Sequence, residues 1–298
     1  PEGVPDIDKD DINAFCNPQY ARDIIDYLHE QEHRYKLSVN FLSKQQDVDA
    51  NMRTILIDWL IQVQNHLAIS ADTLHLSVVL LDRFLTLQKI QLAKLQLLGI
   101  TCLLVASKFE DRYPPTISKL IHLTDNTYVY NDVIRMERLL LMVVGYQVNL
   151  PTPIAFLDRY WKAMCPVHPK VIDVCCYLLD LTLPDLHIVR FAPSMRAAAA
   201  LCLAAKIIVP AEEGGPSAGE NVWTPAMKHY SHLSESQMVP CMHRMARALV
   251  KAEKSKFQGA YEKFGSQSMY GGVSNWPLLT TCDAVKELST KELLTKSG

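Results

Sequence analysis

Apolar residues return at helical spacing along nearly the whole chain, and the rhythm stops where proline or glycine intervenes. It predicts helices at about 20–35, 51–67, 73–86, 92–110, 116–124 and 131–144, with Gly145 placed to cap the last. Pro151-Thr152-Pro153 interrupts the pattern, because proline cannot continue a helix and extends the residue before it. Further helices follow near 153–163, 168–183, 193–209, 225–231 and 235–252. Period-two alternation between turns is hard to find, so little or no strand is expected. Pro210 to Val222 reads as a surface loop. From Gly265 the composition turns to Ser, Gly and Thr, which predicts a loosely held tail.

The helix at 51–67 is apolar on too many sides. Met52, Ile55, Leu56, Trp59 and Val63 form one stripe, and Ile57, Leu60 and Ile61 form a second on another face. A surface helix needs one such stripe. Two mean a helix at the centre of a bundle, or one that buries one face and leaves the other as a binding groove. Arg53 and Asp58 lie inside this run, and a charge there needs a partner; Asp82 in the next helix is available to Arg53.

The two halves look like copies. Leu103-Leu104-Val105-Ala106-Ser107-Lys108 lines up with Leu201-Cys202-Leu203-Ala204-Ala205-Lys206, and His122-Leu123-Thr124 with His232-Leu233-Ser234. Small residues from Ala197 to Ala205 let helices pack closely, as the central helix of a bundle requires. The fold expected is all-α: a lead-in with an N-terminal helix over 1–50, five-helix domains over 51–150 and 151–255, and a tail over 256–298.

A chain of 298 residues accommodates about two domains with separate cores. With 49% hydrophobic and 21% charged residues it falls in the soluble globular range. A net charge of −2 gives no bulk electrostatic reason to expect nucleic acid or membrane partners. Charges such as Lys206 are expected to cut the apolar runs short of a membrane span. Eight cysteines without a Cys-x-x-Cys pair read as free thiols in a reducing, intracellular compartment. The stretch from Pro1 has no apolar signal region, and the missing initiator methionine reads as a chain trimmed at its start.

No Gly-x-Gly-x-x-Gly, phosphate-binding loop or Gly-x-Ser-x-Gly occurs, so no catalytic residue and no cofactor is expected. His229, His232, Cys241 and His243 are metal-ligand types, but their spacing fits no zinc module, and they are read as structural. Arg244, Arg247, Lys251 and Lys254 line one face and are read as solvated rather than as a phosphate grip. Tyr20, Ile24 and Tyr27 form a stripe that packs either on the chain's own core or on a partner.

Several of these residues carry a resemblance. Met-Arg-x-Ile-Leu-x-Asp-Trp-Leu from Met52, Asp82-Arg83-Phe84-Leu85, Ala106-Ser107-Lys108-Phe109-Glu110, Tyr113-Pro114-Pro115 and Arg135-Met136-Glu137 stand in the order of a cyclin box. Trp223-Thr224-Pro225 and the region beyond Tyr261 resemble the second half of B-type mitotic cyclins. The resemblance implies two tandem cyclin boxes and a non-catalytic subunit that binds and activates a cyclin-dependent protein kinase, in nucleus and cytoplasm. It implies kinase contacts at Tyr20, Ile24, Tyr27, Lys108, Phe109, Asp111, Glu137, Leu141 and Tyr146. A docking patch for Arg-x-Leu motifs is implied at Met52, Ile55, Leu56, Trp59, Gln62, Leu95 and Gln96. The motif's Leu would sit between Ile55, Leu56 and Leu95, and its Arg near Gln62, where A-type cyclins carry Glu. Asp158 stands where some B-type cyclins have the first Arg of a phosphate pocket, so that pocket is not expected. The alternative is a cyclin-box transcription or scaffold factor that activates no kinase; in the promoter-binding group the charge is basic and the Met-Arg-x-Ile-Leu patch is missing.

Overall fold

The structure is a computed structural model that describes residues 4–8, 19–164, 168–212 and 222–290. Cys16, Cys165, most of the loop expected over Pro210 to Val222 and the last eight residues lie outside the described residues. Among the described residues the chain is helical, with no strand.

The first half carries α1 (Ala21–Arg34), α2 (Ala50–Leu67), α3 (Ala71–Leu87), α4 (Leu95–Glu110), α5 (Ile117–Leu123) and α6 (Tyr130–Val143). The second carries α7 (Pro153–Lys162), α8 (Pro169–Thr182), α9 (Pro193–Glu212), α10 (Pro225–Ser231) and α11 (Glu235–Lys251). Side-chain caps explain why several helices start where they do. Asp49 accepts from the Met52 N–H at 2.8 Å, Ser70 from Thr73 at 3.2 Å, and Thr224 from Met227 at 3.2 Å. Each satisfies a backbone donor that the first turn cannot. Gly145 ends α6 in the left-handed region at φ +66°, and Tyr146 follows at φ +59°.

Contacts divide the chain into two compact units. One comprises 31–154 with 183–190. Its axis is α4, on which α2, α3 and α6 pack, and Leu98, Ile100, Cys102, Leu103 and Ala106 are fully buried. Gly99 has a packing reason: a Cβ there would lie 2.8 Å from Leu56 Cδ1. Arg53 is completely buried and grips Asp82 with both arms, at 2.6 and 2.7 Å.

The other unit comprises 1–30, 155–182 and 191–298. Its axis is α9, where every residue from Ala197 to Ala205 is fully buried against α8 and α11. Asp180 occupies the same Leu-Leu-Asp position in α8 that Asp82 has in α3, and it too holds a buried cation, Lys263 at 2.5 Å.

Two expectations are corrected here. After α12 (Gly259–Gly265), the described part of the segment from Gly265 expected to be loosely held is packed: it carries α13 (Gln267–Tyr270), α14 (Leu278–Thr281) and α15 (Asp283–Thr290) and buries Val273, Leu279 and Val285. The apolar runs also do not stop short of membrane length. Residues 92–110 and 193–210 are each long and apolar enough to cross one, but 67% and 72% of those windows are buried inside the units, as the axis of a bundle demands. Burial pushes the Cys202 thiol up to about 12, so it stays a neutral apolar group.

Candidate functional site

The last turn of α4 and the middle of α6 meet through an ion pair, Lys108 Nζ to Glu137 Oε1 at 2.5 Å. Lys108 is 45% exposed and Glu137 15%, so the pair is wet on one side. A pair so exposed contributes at most about 1 kcal/mol to folding. Apolar residues around it are equally open: Phe109 is 52% exposed and Tyr146 69%, with Leu141 half-buried one turn beyond Glu137. Asp111, half-buried, is also tied within the chain. Its carboxylate accepts from the Ser70 N–H at 3.2 Å and the Thr73 hydroxyl at 2.7 Å. Asp111 follows the end of α4 in extended conformation, which carries it to the N-terminus of α3, where N–H groups and the helix dipole favour an anion.

In α1, Ile25 is buried and the His29 ring lies 5.0 Å from that of Phe156, so this face carries the packing. Tyr20, Ile24 and Tyr27 are 50%, 50% and 43% exposed, so the stripe turns away from the chain's own core. His29 also faces His232 at 6.2 Å, and His232 faces His229 at 6.3 Å. Burial first, then His29 and His229, hold His232 below its ordinary value; Arg22 acts in the same direction, and Asp26 opposes them. The unfolded chain therefore takes up this proton first as pH falls. The contribution is whole above histidine's ordinary 6.5 and is lost as pH drops from there through the lowered value. Hydrogen exchange in 21–30, corrected for intrinsic rate, should speed up between pH 7.5 and 5.5, and His232→Gln should flatten that dependence.

The basic face of α11 is not simply solvated. Arg247 Nε donates to the Ser289 carbonyl at 3.3 Å, and His243 Nδ1 bonds the Leu288 carbonyl. Both meet backbone carbonyls in the last described turn of α15.

On α2 the two stripes divide differently from the sequence expectation. Ile57, Leu60 and Ile61 are fully buried. Of the other stripe, Ile55 is 51% exposed, Met52 and Trp59 are half-buried, and Val63 is buried. Leu56 and Leu95, expected as open walls of the groove, are only 6% and 4% exposed. Leu56 turns inward into the space that Gly99 leaves and Leu95 is buried one turn earlier on α4, while Met52, Trp59 and Gln96 stay half-buried. Gln62 is exposed and donates to Asp58 Oδ2 at 3.1 Å.

Two family models cover most of the chain: the N-terminal domain of cyclins over 23–149 and the C-terminal domain over 151–279. The chain belongs to the cyclin family. It is 37% identical over 284 residues to the G2/mitotic-specific cyclin-B of Marthasterias glacialis, covering 94% of this chain and 69% of that one. It is 35% identical to the G2/mitotic-specific cyclin-A of Hydra viridissima, covering 94% of this chain and 65% of that protein. For the cyclin-B of Patella vulgata the identity is 36%, over 96% and 67%. The chain thus spans about two thirds of the length of these relatives. A viral cyclin from herpesvirus saimiri shares the fold, with a TM-score of 0.66 over 80% of this chain and 99% of the viral one, at 20% identity.

The motifs of this cyclin left some of its polar architecture unread. Neither Lys263 with Asp180 nor the His29–His232 contact has a local sequence mark, because each joins residues far apart in the chain. The one available signal was the repeat itself, which aligns Asp180 with Asp82 and so asks for a second cation.

Proposed function

We propose that this cyclin binds and activates a cyclin-dependent protein kinase of the mitotic type and recruits its substrates through α2. The observation that carries the kinase reading is the open apolar surface around the Lys108–Glu137 pair, with Phe109 and Tyr146 more than half exposed. A kinase at rest keeps its regulatory helix rotated out, so the Lys–Glu pair of its active site is not formed. A rigid surface that binds only the rotated-in state shifts the balance by its differential affinity. Moving it from 1:99 to 99:1 takes about 5.5 kcal/mol. Lys108 and Glu137 supply hydrogen bonds to that helix, Phe109, Leu141 and Tyr146 pack on it, and Tyr20, Ile24 and Tyr27 add contact area. The complex works inside the cell, in nucleus and cytoplasm, where buried free thiols such as Cys102 persist. Purified kinases mixed one at a time with this chain test the reading. A heterodimer with phosphorylating activity well above the kinase alone is expected, and binding without activation by any kinase would favour a scaffold.

For substrates, Met52, Ile55, Trp59, Gln62 and Gln96 form the surface of the patch, and Leu56 and Leu95 are its buried members. Holding a substrate there raises its concentration beside the kinase active site without changing the chemistry. Met52→Ala with Trp59→Ala should leave the melting temperature and the rate on short peptides unchanged. Substrates bearing an Arg-x-Leu motif should slow about tenfold. Equal slowing with and without the motif would remove the patch from the mechanism.

A further inference from the structure

Met52 belongs to two surfaces. It stands at the N-terminal end of the α2 patch, and it also lines an open groove of about 400 Å³ formed by the segment that leads into α2. Leu42 and Val48, 9% and 4% exposed, give this groove an apolar floor, and Gln46, Asp47 and Asp49 stand along its rim. The groove is held in shape from behind. The Gln45 amide donates to the Leu85 and Gln88 carbonyls at 2.7 and 2.8 Å and accepts from the Ile90 N–H at 3.1 Å. Asp49 is fixed as the cap of α2, and both Asp47 and Asp49 are exposed.

The direction of a docked peptide follows from the patch reading, on which this inference rests. An Arg near Gln62 and a Leu over Leu56 orient the peptide antiparallel to α2. Ile55 lies about 4.5 Å along the axis from Met52, at 1.5 Å per residue, and an extended peptide covers that in one or two residues. The third to fifth residues after the Leu therefore pass Met52 and enter the groove. We infer that the groove is a second subsite for the docking peptide, selecting a Lys or Arg about four residues beyond the motif's Leu. Such a side chain has the two parts the groove matches: an aliphatic stem for Leu42, Val48 and Met52, and a cationic head for Asp47. Gln62 itself is neutral and the Asp58 carboxylate behind it is buried, so Asp47 adds an exposed carboxylate at the other end of the peptide.

Fluorescence anisotropy with three labelled peptides tests this. All carry the Arg-x-Leu core, and the fourth residue after the Leu is Lys, Ala or Glu. At low salt the Lys peptide should bind about threefold more tightly than the Ala peptide, as an exposed ion pair permits, and the Glu peptide more weakly. Screening at 0.5 M salt should close the gap, and Asp47→Lys should reverse the order. Equal affinities for all three peptides, or the same order in Asp47→Lys, would overturn the subsite while leaving the patch intact. If none of the three binds, the patch reading falls and takes the subsite with it.

Discussion

Arg53→Ala should cost the unit built on α4 about 3–5 kcal/mol, a large part of what holds a domain of this size together. The side chain has no exposure, and its guanidinium makes two short bonds to Asp82. The same group reaches the Leu183 and Pro184 carbonyls at 3.4 and 3.3 Å. Truncation leaves a buried carboxylate without its countercharge and takes a donor from the Leu183 carbonyl, while Pro184 keeps the Thr54 hydroxyl at 3.0 Å; it also opens a cavity. The cost comes from what is left behind more than from the bond lost, since desolvating both ions consumes most of their attraction. Replacing both partners by apolar residues of similar size, Arg53→Met with Asp82→Leu, should therefore recover most of the loss. Urea unfolding followed by Trp59 fluorescence would report the order: wild type close to the double variant, and the single variant far below. A single variant within about 1 kcal/mol of wild type would mean that water reaches Asp82. Lys263 and Asp180 obey the same logic in the other unit.

What could be read from the sequence follows the range of the interactions. Helices α2, α3 and α10 begin at Asp49, Ser70 and Thr224, whose caps act over three residues, so pattern and chemistry agreed locally. The packed tail was unreadable for the opposite reason. Its helices are four to eight residues long, too short to show a period. They hold through distant partners, Asp180 for Lys263 and the α11 side chains for the Leu288 and Ser289 carbonyls. On α2 a helical wheel puts Leu56 beside Trp59 but cannot say which of them α4 covers. Gly99 decides it, by opening room for Leu56 alone. The tie from Asp111 to Ser70 has no local mark, since its motif neighbours Lys108 and Phe109 are exposed while the chain turns at Asp111 toward Ser70. Phe109 and Tyr146 in one unit, and Tyr20 and Tyr27 in the other, are large side chains left exposed.

Lys108→Ala combined with Glu137→Ala should reduce kinase activation at least about a hundredfold while the melting temperature stays within a few degrees of wild type. The two effects separate because the same pair sits in two environments. In the free cyclin it is half open to water, and its loss costs at most about 1 kcal/mol. Across a closed interface each charge is desolvated, and removing a partner there costs about 2–5 kcal/mol. The charge-swapped protein, Lys108→Glu with Glu137→Lys, sharpens the test. It retains an ion pair between α4 and α6, so whatever that pair does for folding survives, but it presents every donor and acceptor to the kinase in reverse. If the pair served only to join the two helices, the swap would activate normally. If it is a binding surface, the swap should fail as completely as the double alanine, with co-purification lost as well. Titrating kinase activity against cyclin concentration for the three proteins decides between these outcomes, and activation by the swapped protein at wild-type concentrations would remove Lys108 and Glu137 from the interface.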